Sequence, residues 1–188
     1  MIQIRKGVFE TNSSSTHSIC ISKEKVKAED IAGKKINFGF DEYGWEFACV
    51  NDTASYLHTA IADMSRIKQY KERIKKIKQI LDKYGVEYEF EPVKFVDNEY
   101  GGYVIPADDS YAYVDHAGEC ADMVDALLND EDLLIRYLFG NSCIYTGNDD
   151  SDRFDMCNQA VSMVWEDTDL VPNPNHDPKH YDYFYKGN

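Results

Sequence analysis

The chain has no apolar run approaching the roughly 18 residues that a membrane-spanning helix needs, so a helical integral membrane protein is not expected. Its opening, Met1-Ile2-Gln3-Ile4-Arg5-Lys6, lacks the apolar core of a secretory leader, and a cytoplasmic protein is the expectation. No Cys-X-X-Cys pair occurs. The five cysteines (Cys20, Cys49, Cys120, Cys143 and Cys157) are odd in number and irregularly spaced, which reads as reduced, mostly buried thiols. No Gly-X-Ser-X-Gly elbow is present to support serine-hydrolase chemistry, and no internal repeat divides the chain. Positive charge is scarce in the second half: residues 86–188 carry 5 basic and 23 acidic side chains. With 15 basic and 11 acidic residues in 1–85, the whole sums to −14. Such a field repels phosphates and makes nucleic acid an unlikely general partner; it favours a basic protein surface or bound cations, or serves solubility alone.

What is present is enough for one domain. At 188 residues, 43% of them apolar, the chain can bury a core without disulfides or metals. Short alternating segments read as strands: 2–5, His17 to Ser22, Ile36 to Phe40, Val86 to Phe90, Tyr103 to Ile105, Tyr111 to Val114 and Ser142 to Thr146. A long amphipathic helix is expected over 53–84, capped by Asp52 or Thr53 and closed by Gly85. Its apolar positions run from Leu57 through Ile61, Met64, Ile67, Tyr70, Ile74 and Ile77 to Leu81, and eight basic residues cover its other side. That basic face reads as solvated, or as a contact with the acidic half within the chain or across a dimer, rather than as a nucleic-acid surface. Further helices are expected at 117–128, 131–139 and 153–166. The segment 171–188 reads as an extended or loosely packed tail, with a last helix starting at Asp177-Pro178. Strands and helices without βαβ alternation predict an α+β fold with a mixed or antiparallel sheet.

The densest chemical signal is Thr11 to Ser18. Each of these eight consecutive residues can hydrogen-bond through its side chain, and the run is clamped between Val8-Phe9 and Ile19-Cys20-Ile21. Hydroxyls and backbone N–H groups at this density suit a turn that grips an anion, with Arg5 or Lys6 supplying charge. The bland alternative is a serine-rich turn that satisfies its own backbone. Other polar clusters fall at element ends: Asp41 to Glu46 with Trp45 as a stacking face, Asp115-His116, Thr146 to Asp152, and His176 to His180. The 146–152 oxygens resemble a loop for a divalent metal, but the spacing is not that of an EF-hand, and an acidic turn capping a helix is the simpler reading. His116, Cys120, His176 and His180 have four-residue spacings that would suit zinc, with Gly118 and Pro178 against it.

The run Arg5-Lys6-Gly7-Val8-Phe9-Glu10-Thr11-Asn12-Ser13-Ser14-Ser15-Thr16-His17-Ser18 resembles the opening of a group of phage and mobile-element proteins of low-GC Gram-positive bacteria. Glu42-Tyr43-Gly44-Trp45-Glu46, Tyr56-Leu57-His58-Thr59, Val114-Asp115-His116 and Phe139-Gly140-Asn141-Ser142 fit the same group. The sequence departs from it after His116, with Ala117-Gly118 in place of a polar pair. The resemblance implies that these clusters belong together and suggests a biological setting, without a mechanism.

Two functions follow as expectations. In one, Arg5, Asn12, Ser13, Ser14, Ser15, Trp45, Asp115, Asn148 and Asp149 line a pocket for a small anionic or nucleotide-like ligand. If that pocket is catalytic, His17 or His116 is the general acid/base and Glu46 or Asp149 orients it or holds a divalent metal. In the other, the protein is no enzyme: its acidic half mimics nucleic acid and blocks a basic host defence or regulatory protein.

Overall fold

The computed structural model describes residues 15–44, 46, 48–148, 163–166, 169–172 and 179–186. Within them the chain forms a single-domain α+β fold around a four-stranded antiparallel sheet. Its order is β12 (Tyr181–Lys186), β1 (Ser15–Ser22), β9 (Cys143–Asn148) and β4 (Ala48–Val50). All eight residues of β1 are buried. Ile19 and Ile21 belong to the main core, while Cys20 joins Cys143 and Tyr145 in a smaller cluster with Tyr181 and Tyr183. Both faces of this central strand are therefore covered, and its polar positions are interior.

After the short α1 (Ala28–Ile31), the expected helix over 53–84 is broken into α2 (Thr53–Met64) and α3 (Ile67–Lys83). Ser65 and Arg66 turn extended, with ψ of 143° and 159°. Gln69 Oε1 accepts the Arg66 N–H at 3.0 Å, and the Ile67 N–H donates to the Gly101 carbonyl at 3.3 Å. The apolar rhythm steps from Met64 to Ile67 without a fault, so periodicity alone does not reveal the break. Gly85 closes α3 at φ +66°, a left-handed position that suits glycine.

α2 is buried on all sides, from Thr53 to Ala62. A helix enclosed in this way must satisfy its own polar groups. Thr53 donates to the Tyr137 carbonyl at 3.0 Å, and the Tyr137 hydroxyl answers to the Thr53 carbonyl at 2.8 Å. Ser55 and Thr59 accept the Gly39 and Asp41 N–H groups at 3.0 and 3.3 Å. The helix thus holds the chain where it leaves β2 (Lys35–Phe38), just before β3 (Glu42–Tyr43). Asp52 caps α2, accepting from the Ser55 N–H at 3.1 Å and its hydroxyl at 2.8 Å. Asp52→Ala is expected to cost about 1 kcal/mol of unfolding free energy, read as a shift in urea midpoint.

Small pairings complete the frame: β2 runs parallel to β5 (Glu87–Phe90), and β3 runs parallel to β8 (Tyr113–Val114). β6 (Val93–Val96) and β7 (Tyr103–Pro106) form an antiparallel pair. After β8 a 3-10 turn over Ala117–Cys120 leads into α4 (Ala121–Asn129) and α5 (Glu131–Phe139). The described C-terminal part of the tail is extended. Its residues 181–186 pair with β1 from Ser22↔Tyr181 to His17↔Lys186, a strand where a helix was expected. Arg136 on α5 anchors it, donating to the Ser22 carbonyl at 2.8 Å and to Asp182 at 3.0 Å. Residues 163–166, expected as a helix end, are β10 (Met163–Glu166), paired with β11 (Asp169–Pro172). The expected strand 2–5 and the helix over 153–162 lie outside the described residues. Cys20, Cys120 and Cys143 are buried thiols and Cys49 is exposed. Among the described residues no helix is long and apolar enough to cross a membrane.

Candidate functional site

Ser15 of the polar run, Glu46, Asp115 and Thr146 come together at the N-terminal end of β1, whereas His180 of the 176–180 cluster lies past the strand's other end, its carbonyl accepting the Lys23 N–H. Ser15 and Thr16, expected in a loop, already belong to the strand, so the run enters the sheet before its serines end. The Ser15 N–H donates to the Asp115 carboxylate at 3.3 Å, and its hydroxyl donates to the Asp115 carbonyl at the same distance. Antiparallel register sets Ser15 opposite Asn148 and His17 opposite Thr146. The strand expected to end at Thr146 runs on to Asn148, so Asn148, also expected in a loop, is a strand residue of β9. The Thr146 hydroxyl donates to the Glu46 carbonyl at 2.5 Å, which ties the 44–46 turn to the sheet. Parallel pairing of β3 with β8 brings Tyr43 beside Val114 and delivers Asp115 to the same place.

His17 is the floor of this junction and is fully buried. Its Nε2 lies 2.9 Å from the Gly44 carbonyl, and its Nδ1 lies 2.7 Å from the Tyr56 hydroxyl. A carbonyl can only accept, so the neutral ring carries its proton on Nε2 and takes the Tyr56 proton at Nδ1. The Tyr56 oxygen in turn sits 3.6 Å from the Cys120 sulfur, which then donates. Burial drives the Tyr56 phenol well above its ordinary value, so the hydroxyl keeps its proton for this chain. With both nitrogens engaged and no solvent contact, His17 pins the turn to α2; its geometry is not that of a general base open to a substrate. The backbone at Gly44 is closely approached: a Cβ there would come within 2.9 Å of the Tyr113 hydroxyl and 3.1 Å of Glu46 Oε2, so these two side-chain ends would have to shift.

His116 has the opposite character. Its side chain is 44% exposed, and its backbone is left-handed at φ 53°. Carboxylates flank the ring, Glu119 Oε1 at 3.4 Å from Nδ1 and Asp115 Oδ1 at 3.9 Å from Nε2. Of the two candidate acid/base histidines, this is the one a ligand can reach. The surroundings are acidic. Burial, then the Glu46 and Glu42 carboxylates, raise the Tyr113 phenol above its ordinary value. The Asp63 carboxyl, which accepts the Val114 N–H at 3.2 Å, is likewise raised, by burial and to a lesser degree by Asp115.

Among the sequence candidates, then, Ser15, His17, Glu46, Asp115 and His116 converge, and the Asn148 backbone joins them. Arg5, Asn12, Ser13, Ser14, Trp45 and Asp149 lie outside the described residues. Sequence reasoning gave Tyr56 no role at the site, although Tyr56-Leu57-His58-Thr59 is among the segments of the resemblance. It also missed Glu119, three residues after His116 and so placed to reach it across one helical turn. Among the described residues no three His, Cys, Asp or Glu side chains are arranged to hold a metal ion. His116 and Cys120 of the zinc set diverge: the ring is exposed, whereas the thiol is buried against Tyr56. Comparison with protein-family models, curated proteins and solved structures finds no match.

Proposed function

We propose that the protein binds a small nucleotide-like ligand where the 11–18 run meets the 44–46 turn, Asp115-His116 and the end of β9. The observation that carries this reading is the convergence itself: segments some 100 residues apart are joined by Ser15–Asp115 and Thr146–Glu46 hydrogen bonds. Polar clusters with only local tasks have no need to meet. The chemistry of the two halves is complementary to such a ligand. Asp115, Glu119 and Glu46 are acceptors for ring N–H or amino groups of a base. The residues proposed for its anionic end, Arg5, Asn12, Ser13 and Ser14, supply donors. In an enzymatic form His116 is the general acid/base, oriented by Asp115 and Glu119; His17 is a positioning residue. The resemblance of the 5–18 run supports a setting in a phage or mobile element.

A thermal-shift screen with mononucleotides tests this. At a ligand concentration about a hundredfold above Kd the stabilisation is about 2.7 kcal/mol. Asp115→Asn and Ser14→Ala should each diminish it. Unchanged stabilisation in both variants would sink the site.

A second reading draws on the sign of the charge. Among the described residues no Lys or Arg pairs with Asp41, Glu42 or Asp115, which leaves this end of the molecule open to a basic surface. In that reading the protein is an acidic inhibitor of a basic host protein. Binding would weaken steeply with salt and be indifferent to Ser14→Ala.

A further inference from the structure

Away from this junction, α3 and β5 enclose an open groove of about 390 Å³. Tyr70, Ile74 and Tyr88 form its apolar floor, and Lys71, Lys75 and Lys78 rim it. The cations of α3 are treated unequally. Lys68 pairs with Glu72 at 3.9 Å, Arg73 with Asp125 at 3.5 Å and Lys83 with Glu131 at 2.5 Å. Lys76 donates to Asn129 at 2.9 Å. Among the described residues no carboxylate pairs with Lys71, Lys75 or Lys78, in a chain with 34 acidic side chains to offer. The three unpaired lysines follow one another at steps of four and three, along one face of the helix.

Two of these ammonium groups are held in place by aromatic rings. Lys71 Nζ stands 4.4 Å from the Phe95 centroid, and Lys78 Nζ stands 5.0 Å from Phe90 and 5.7 Å from Tyr88. Such contacts fix a cation without neutralising it, and the charge remains available to an anion. Of the nearby carboxylates, Glu89 is bound by Lys35 at 2.6 Å, while Asp82, which also lines the groove, accepts the Tyr88 hydroxyl at 3.0 Å and keeps its charge, so three cations face one anion there.

We propose that this groove binds a small phosphorylated ligand with a flat apolar body, of the mononucleotide class. The flat body would lie on the Tyr70, Ile74 and Tyr88 floor and the phosphate against Lys75 and Lys78. Size and charge both select a small ligand. The volume falls within the roughly 300–1,000 Å³ of small-molecule sites. Repulsion from a chain of net charge −14 grows with the charge of the approaching partner, so a long polyanion is penalised more than one phosphate. The proposal is independent of the site at the end of β1.

The test is a titration of the full chain with adenosine monophosphate, followed by backbone amide NMR. Parallel titrations use inorganic phosphate, adenosine and a single-stranded oligonucleotide. Saturable shifts confined to residues of α3 and β5 are expected, with phosphate and adenosine each binding more weakly than the nucleotide. The K75Q/K78Q double variant, whose side chains carry no described ion pair, should fold normally by circular dichroism and bind about tenfold more weakly. Asp115→Asn, which alters only the other site, should bind in the groove as the wild type does. Absence of saturable shifts at millimolar nucleotide overturns the proposal. So does equal binding by phosphate alone, binding of the oligonucleotide only, or unchanged affinity in K75Q/K78Q.

Discussion

His17→Ala is expected to lower the unfolding free energy by about 3–5 kcal/mol, read from urea unfolding at neutral pH. Two losses add. The imidazole is fully buried, so its removal leaves a cavity between β1 and α2 that the sheet cannot close by moving one strand. The Gly44 carbonyl also loses its donor, and the Tyr56 hydroxyl loses the acceptor 2.7 Å away. Against a typical total stability of roughly 5–15 kcal/mol, that is enough to leave a sizeable unfolded fraction. Tyr56→Phe removes the hydroxyl alone and should cost about 1–2 kcal/mol. In the double variant the two losses should be less than additive, because the partners share one hydrogen bond. His116→Ala provides the contrast: an exposed ring should change stability by no more than about 0.5 kcal/mol. A loss below about 1 kcal/mol for His17→Ala would mean that the histidine is not the pin the geometry makes it.

This division of labour between the histidines was not readable from the sequence, where His17 sits in the richer motif and His116 in the poorer one. Local pattern yielded most elements, because strand and helix periods are local properties: Ile19 and Ile21 alternate, and Ile74, Ile77 and Leu81 step by three and four. It failed where an apolar step spans a backbone break, as between Met64 and Ile67. It failed again where a strand is made by a distant partner. Tyr181, Tyr183 and Tyr185 do alternate, yet only pairing with β1 makes them a strand, and the Asp177-Pro178 pair favours a helix start when read locally. The site shows the same limit. Its clusters were identifiable one by one from their density of polar groups. Their meeting depends on Ser15 aligning with Asn148 and on the parallel pairing of Tyr43 with Val114. Charge bookkeeping by halves also hid the site's sign: Glu42 and Glu46 come from the basic half and join Asp115 from the acidic one.

Stability should fall by about 3 kcal/mol between pH 6.5 and pH 4 on account of His58 alone. This histidine lies on α2 two residues after Tyr56, and so about 200° around the helix from it. Its Nδ1 donates to the Phe38 and Gly39 carbonyls at 2.9 and 3.0 Å, and its Nε2 accepts from the Tyr70 hydroxyl at 2.8 Å. Phe40 and Phe90 cover the ring at 4.2 and 5.2 Å between centroids. Burial lowers its pKa to about 4, the carbonyl hydrogen bonds opposing that shift only in part. The unfolded chain takes up the proton near pH 6.5 and the folded chain only near pH 4, so between them the unfolded state binds more protons. Stability therefore rises with pH through this window: it is fully present above it, is lost as pH falls through it, and changes no further below it on this account. Asp63 acts in the other direction, because its raised pKa favours the folded state in acid, and it offsets part of the loss at the low end. The check is the unfolding free energy of wild type and His58→Gln from pH 8 to pH 4. The variant should start less stable, having lost a fully buried ring, but should show a shallower decline. Because other groups titrate equally in both proteins, the difference between the two curves isolates His58. Parallel curves would show that the ring protonates as readily in the folded protein as in the unfolded one, and that the seam between α2 and β2 is open to water.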